Sequence, residues 1–290
     1  MQPATLPENA APCHGQWRAE LSLAFARRRG GTRLVHCSHR GPLYIQRPFY
    51  PEGPDCAHAY LLHPPGGIVS GDRLAIDVSV AEGASALVTT PGAARVYRAR
   101  ETLSLQGQTT HLSVAQGASL EWFPLETIVY DGADVRLDTQ IELAPDAALT
   151  AWEICCLGLP ASGAPFRHGR LRQRYRLRRD GRVCFVDGLC LDADNLARMD
   201  GRAGLGGHTV AGFFLAGPVA NEDALPALRA VDGQRTPTGV GGITRLGDFY
   251  VGRYLGTSAA HARALFTRWW ELLRPLLLGR AACAPRIWLT

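Results

Sequence analysis

The hexapeptide Val80-Ala81-Glu82-Gly83-Ala84-Ser85 returns 34 residues later as Val114-Ala115-Gln116-Gly117-Ala118-Ser119. A fainter copy, Leu143-Ala144-Pro145-Asp146-Ala147-Ala148, starts 29 residues after that. Each copy closes one run of alternating apolar and polar residues, turns at Gly or Asp, and opens another run. The opened runs are alike too: Ala86-Leu87-Val88, Leu120-Glu121-Trp122 and Leu149-Thr150-Ala151-Trp152. A strand-turn-strand unit cannot bury its apolar face alone, whereas stacked copies bury it continuously. The echo therefore predicts stacked β layers, a β-helix-like body.

Outward from this centre, a period of two recurs in short runs broken by Gly, Pro, Asp or Asn. Leu74–Val80, Ser85–Thr89, Leu112–Val114, Val135–Leu143 and Arg170–Leu177 read as strands. From Asp192 to Gly242 the pattern changes, and Gly clusters surround one short helical candidate, Glu222–Val231. Gly247-Asp248 reads as a hairpin turn between Thr244–Leu246 and Phe249–Leu255. Ser258 is placed to cap a last long helix that Pro275 should stop after Arg274. Leu265, Trp269, Leu272 and Leu276 form one stripe of that helix; Phe266, Trp270, Leu273 and Leu277 form the next. So wide an apolar face fits a deeply buried helix, or one covered in part by a partner that docks on Trp269 and Trp270. The expected fold is mainly β, with a few helices including a C-terminal one. Residues 1–14 lack a basic start and an apolar run and read as a flexible tail, not a signal peptide. Residues 15–290 read as a single β-rich domain.

All 31 basic residues in the 290-residue chain are Arg; Lys is absent. That excludes the usual Walker A loop, the pyridoxal Schiff base and the protein-kinase site. The longest apolar stretches are about half of the ~20 residues that a membrane span needs, so a soluble, cytoplasmic protein is expected. Eight Cys are too sparse for a disulfide scaffold, and in a reducing cytosol they would be free thiols. The net charge of +5 is modest and suits acidic protein partners no less than nucleic acid.

Nucleophile motifs are missing. Gly67-Ile68-Val69-Ser70-Gly71 spaces its glycines wrongly for a nucleophile elbow, and there is no Cys-x-x-Cys or His-Glu-x-x-His. His36-Cys37-Ser38-His39 is the densest soft-ligand cluster. A strand sends Cys37 and His39 to one face and His36 to the other, and two ligands do not close a zinc site. Arg170, Arg172, Arg174, Arg176 and Arg178 alternate with Leu171, Gln173, Tyr175 and Leu177. This arginine ladder reads as a solvated outer face, or as a docking strip for an acidic protein or for phosphates. Three acids stand out. Glu153 and Asp187 interrupt apolar strands, and Asp72 ends the Gly-rich turn that starts at His63. A buried carboxylate is costly unless it is paired, hydrogen-bonded or metal-linked. Facing one interior, the three would make a polar lane; taken singly, each reads as a salt bridge to one of many Arg.

His63-Pro64-Pro65-Gly66-Gly67-Ile68-Val69-Ser70-Gly71-Asp72, Thr89-Thr90-Pro91-Gly92-Ala93-Ala94-Arg95-Val96-Tyr97-Arg98 and Leu120-Glu121-Trp122-Phe123-Pro124-Leu125-Glu126-Thr127-Ile128-Val129-Tyr130 stand in that order. Arg253-Tyr254-Leu255-Gly256, Trp270 with Arg274-Pro275, and Pro285-Arg286-Ile287-Trp288 follow. From about residue 15 to the C-terminus, these motifs together resemble the urease accessory protein family UreD, also called UreH. Ser70, Leu125 and Ala164 depart from the family's usual Gly, Gln and acid. The resemblance implies a non-enzymatic maturation factor, a chaperone and scaffold. It would bind UreF and, through UreF, the GTPase UreG, dock on apo-urease, and pass nickel towards the urease active site. No resident cofactor is implied, only transient Ni2+. On this chain, Gly66, Gly67 and Gly71 would form a structural corner with Asp72 facing inwards. Thr89, Thr90, Tyr97, Glu121, Trp122, Glu126, Tyr130, Arg286 and Trp288 would be signature positions. Asp72, Glu153 and Asp187 would line the nickel passage, and Arg170, Arg172, Arg174 and Arg176 would dock a partner. The rival readings are a β-helical or cupin-like metal enzyme, whose His-x-His pair is missing here, and an anion-binding module built on the Arg170–Arg178 ladder.

Overall fold

A computed structural model describes residues 17–101, 105–219, 224–231 and 233–289. The expected tail, residues 1–14, lies outside the described residues, as do Glu222 and Asp223 at the start of the short helical candidate. In chain order the first strands are β1 (Arg18–Arg28), β2 (Gly31–Arg40), β3 (Tyr44–Ile45), β4 (Cys56–Leu62), β5 (Arg73–Val80), β6 (Ser85–Thr89), β7 (Ala94–Val96), β8 (Gln106–Val114), β9 (Ser119–Phe123) and β10 (Thr127–Val129). There follow β11 (Asp134–Leu143), β12 (Ala148–Leu159), β13 (Ala164–Pro165), β14 (Arg170–Arg179), β15 (Arg182–Leu191), β16 (Val210–Gly217), β17 (Arg235–Thr236), β18 (Gly239–Leu246) and β19 (Phe249–Gly256). Helix α1 is Leu225–Arg229 and α2 is Ala259–Leu278.

The strands form two stacked sheets. The first runs β15-β14-β11-β8-β5-β1-β2, and the second runs β17-β18-β19-β16-β12-β9-β6-β4-β3. The chain alternates between them: β4 lies in the second sheet, β5 in the first, β6 in the second, β8 in the first, β9 in the second, β11 in the first, β12 in the second and β14 in the first. Each coil thus adds one strand to each sheet, and neighbouring coils pair in parallel. This is the stacked-layer, mainly β architecture that the echo predicts. The echoed residues make the same tight turn three times: the amides of Ala84, Ala118 and Ala147 bond to the carbonyls of Ala81, Ala115 and Ala144, each at 3.1 Å. Gly83 and Gly117 take φ of 63° and 61°, which a side chain disfavours. The third copy has Pro145-Asp146 instead and needs no left-handed residue there.

Side-chain alternation sorts the second sheet's two faces. Ala57, Ala59, Leu61, Ala86, Val88, Leu120, Trp122 and Ala151 face the first sheet across one core. Cys56, Leu87, Phe123, Trp152 and Ile154 face α2 and join a second core. The result is three layers: sheet, sheet, helix. Ser258 caps α2, its Oγ accepting from the His261 amide at 3.2 Å. The helix does not stop at Arg274. It carries Pro275 inside its last turn and ends at Gly279 in the left-handed region (φ 63°), whose amide bonds to the Pro275 carbonyl. A proline inside a helix loses one hydrogen bond and crowds the carbonyl four residues earlier, and this late in the helix a tightly packed face outweighs that cost. Trp269 and Trp270 are fully buried. Their expected docking role gives way to core packing: Trp269 Nε1 donates to the Leu228 carbonyl at 3.0 Å, and Trp270 lies edge-on to Phe123. The large apolar side chains that α2 exposes are Leu272 and Leu276. Among the described residues, no helix is long and apolar enough to cross a membrane.

Candidate functional site: two cavities that meet at Glu153

The inner face of the first sheet is not wholly apolar. Gln108, Thr110, Thr139, Gln173 and Tyr175 interrupt it on neighbouring strands, with Thr110 beside Thr139 and Thr139 beside Tyr175 in register. Opposite them, β12 sends Glu153 inward. Its Oε1 accepts from Thr139 Oγ1 at 2.8 Å, and its Oε2 accepts from Tyr175 at 2.9 Å and Gln173 Nε2 at 3.2 Å. No arginine pairs with it among the described residues. Burial raises its carboxyl above the ordinary value, and the bonds from Thr139, Tyr175 and Gln173 pull down without cancelling that rise. Trp122 Nε1, also buried, faces this carboxylate but makes no hydrogen bond within normal geometry. Burial, then the charge of Glu153, push Tyr175 well up, so its hydroxyl stays a donor.

Glu153 keeps some accessibility because two cavities border it. One, about 290 Å³, runs from His63, Pro64, Pro91 and Gly92 past Leu61, Ile76 and Gln108 to Glu153. The other, about 420 Å³, runs from Glu153, Gln173 and Tyr175 past Phe213 and Leu205 to Asp187, Arg253 and Val240. Asp187 stands at that second mouth, on β15 opposite Tyr175. Its Oδ2 pairs with Arg253 and its Oδ1 accepts from the Gly188 amide at 2.8 Å.

Asp72 is placed elsewhere. It is buried beside the Gly-rich corner, where its carboxylate accepts from the amides of Val69 (2.9 Å) and Trp17 (3.4 Å), and it lines neither cavity. Backbone donors hold it as a turn cap, so the three acids do not share one interior. The corner around it is tight. A Cβ on Gly67 would fall 2.2 Å from the Tyr97 ring, which is itself held edge-on to Tyr130. Gly67→Ala is expected to cost about 1–3 kcal/mol, read as a lower thermal midpoint, because the ring has nowhere to yield.

The signature positions knit the layers together. Thr89 Oγ1 donates to the Phe123 carbonyl at 2.6 Å and accepts from Trp288 Nε1 at 2.9 Å, tying the C-terminal segment to β6. Thr90 Oγ1 accepts from the Leu125 amide at 2.9 Å. Glu126 pairs with Arg263 of α2 at 3.4 Å. Arg286 starts the last short turn of helix. Glu121 belongs to a buried ion cluster that sequence reading does not join up. Arg274, fully buried, reaches Glu121 at 2.9 Å and Glu52 at 2.7 Å, and Glu52 also binds His58 Nε2 at 2.7 Å. The available signal was Cys56-Ala57-His58: two polar side chains on one face of an apolar strand.

The arginine ladder lies on the outer face of the first sheet, where Arg170, Arg172, Arg174 and Arg178 are exposed. Strand β11 sets acids beside it, and Arg170–Asp134 (2.6 Å) and Arg178–Glu142 (3.6 Å) are ion pairs. Arg172, Arg174 and Arg176 have no ion pair among the described residues. His36, Cys37 and His39 are exposed on the edge strand β2.

The profile of the family described as "UreD urease accessory protein" matches residues 18–289. The chain belongs to this family. It is 41% identical to the urease accessory protein UreD of Marinomonas sp. (strain MWYL1), over 98% of this chain and 93% of that one. It is 43% identical to the UreD of Pseudoalteromonas translucida, over 94% and 91% of the two chains. With the UreD of Chromohalobacter salexigens it shares 44% identity, over 94% and 89%. The UreD family is one of accessory proteins, not of enzymes.

Proposed function

We propose that this UreD-family chain serves urease maturation as a nickel-insertion chaperone and scaffold, bridging UreF and, through UreF, the GTPase UreG to apo-urease in the cytoplasm. Ni2+ is the cargo. It passes between the two stacked sheets, from the His63–Gly92 mouth to Glu153 and on to Asp187. The observation that carries this reading is the placement of Glu153, which lines both cavities and is held by neutral donors rather than by an arginine. Carboxylate and hydroxyl oxygens hold a divalent ion weakly, and transit requires holding that is easily undone. Asp187, already shared with Arg253, is a second weak station at the exit. Asp72, locked by backbone amides, is a brace for the corner and not a station.

The unpaired arginines Arg172, Arg174 and Arg176 form the face offered to an acidic partner surface. The test of transit is urease co-expressed with Glu153→Ala and Asp187→Ala variants. The expected result is nickel-poor, poorly active urease while capture of UreF by pull-down is unchanged. Full nickel content with both variants would remove the passage from the proposal, and the bridging role would be judged on the pull-down alone.

A further inference from the structure

On the far side of the second sheet, β4 and the turn before it gather a second set of ligand-type side chains. Cys56 and His58 are two residues apart on one strand face, and Glu52 stands in the preceding turn. One ligand atom from each lies within 4.8 Å of the others. Cys56 and His58 are 1% and 0% exposed. Their neighbours Ala57, Ala59 and Leu61 face the opposite way, into the core that holds the Glu153 cavities. A full sheet therefore separates this set from the proposed passage.

Two observations single the set out. First, His58 uses Nε2 on Glu52 Oε1, while its fully buried Nδ1 has no hydrogen-bond partner. A buried ring nitrogen without a partner is costly unless something else meets it. Second, the bonds that Glu52 receives from His58 and Arg274 both fall on Oε1, which leaves Oε2 outside those bonds.

We propose that Glu52, Cys56 and His58 form a binding site for one borderline divalent transition-metal ion, zinc or nickel, distinct from the interior passage. Thiolate, imidazole and carboxylate together are the donor set that suits such ions. Three protein ligands leave a position for water, which is the pattern of an exchangeable site rather than a closed structural one. Tetrahedral ligands on one ion lie about 3.4 Å apart, so the ligand atoms, here within 4.8 Å of one another, rearrange on loading. Arg274 holds Glu52 from behind as an orienting partner. The segment after α2 covers the site: Arg274 Nη1 donates to the Ala281 carbonyl, and Cys283 lies within electrostatic reach of Glu52 and Glu121.

The test titrates the full chain, freed of metal, with Co2+ and then with Zn2+ or Ni2+ in competition. The expected result is one equivalent of cobalt with a thiolate-to-metal charge-transfer band, displaced by the competing ion. Cys56→Ser should abolish the band, His58→Gln should weaken binding by about ten-fold or more, and Cys37→Ser, at an exposed thiol on β2, should leave both unchanged. Displacement by zinc alone, or by nickel as well, identifies the ion. Absence of a thiolate band in the wild-type chain overturns the proposal, as does an undiminished band in Cys56→Ser. If Cys56→Ser does not fold, the X-ray absorption spectrum of the cobalt-loaded wild type decides: one sulfur and one imidazole in the first shell support the site, and an all-oxygen shell overturns it.

Discussion

Arg274→Met is expected to destabilise the chain by about 3–5 kcal/mol, a large share of the total stability of an ordinary domain. Arg274 is fully buried and donates from Nε and Nη2 to both oxygens of Glu121 at 2.9–3.2 Å, and from Nη2 to Glu52 at 2.7 Å. Trp270 Nε1 donates to the same Glu121. Burial works against the guanidinium's charge, but the hydrogen bonds to Glu52 and Glu121 more than offset it and push its pKa up. Methionine fills much of the space and removes the cation, leaving carboxylates stranded between the second sheet and α2. Burial alone would raise the Glu52 carboxyl, yet its bonds to His58 and Arg274 hold it at about 2, below its ordinary 4.5. A depressed carboxyl contributes stability that is present above 4.5 and lost as the pH falls towards 2. In Arg274→Met the part of that contribution which Arg274 supplies is gone, while the bond from His58 remains, so the gap from wild type should narrow through this window. Denaturant unfolding of both chains at neutral pH and near pH 3 measures it. A gap below about 1 kcal/mol at neutral pH would mean that the cluster is not what clamps α2 to the sheet. Replacing Arg274 and Glu121 together by apolar residues should recover part of the loss, because no charge is then left unpaired.

Glu153→Gln is expected to behave in the opposite manner: a stable chain that no longer supports nickel delivery. Glutamine keeps the shape and the acceptor oxygen for Thr139 or Tyr175 but offers no charge to a divalent ion. Nickel in co-expressed urease should fall by about ten-fold or more. Stability should move the other way. The Glu153 carboxyl is raised in the folded chain, chiefly by burial, so the folded state binds its proton more tightly than the unfolded state does. Wild-type stability is therefore greatest below the ordinary carboxyl value and falls as the pH rises through the raised one. The glutamine variant lacks that slope, and at neutral pH it should be at least as stable as wild type. Wild-type nickel content with Glu153→Gln would reject Glu153 as a station. A marked loss of stability would instead assign it to packing.

The strands were legible where side chains alternate strongly. Val135–Leu143, Arg170–Leu177 and Leu74–Val80 all fall within observed strands, and the hexapeptide echo marks the turn from one sheet to the other. Strand β8 was harder. Its first half, Gln106–His111, carries few apolar residues and becomes a strand because β5 and β11 pair with it on both sides. The end of α2 was misplaced for a similar reason: local chemistry says that Pro275 breaks a helix, and packing against the second sheet carries it one turn further.

The site divides along the same line. Glu153 could be singled out because an acid in an apolar strand is costly. Which of Asp72, Glu153 and Asp187 face a common space could not be read, because each lies on a different coil and coil-to-coil register is set by long-range pairing. The same holds for Arg274, Glu121 and the Glu52–His58 pair, which come from three separate segments. By itself the sequence determined the strand-turn-strand unit, its stacking and the family to which the chain belongs, since these rest on local periodicity and short motifs. Only the tertiary structure decided which acid borders the cavities, which caps a turn and which are buried against an arginine, because a carboxylate's surroundings are supplied by residues far away along the chain.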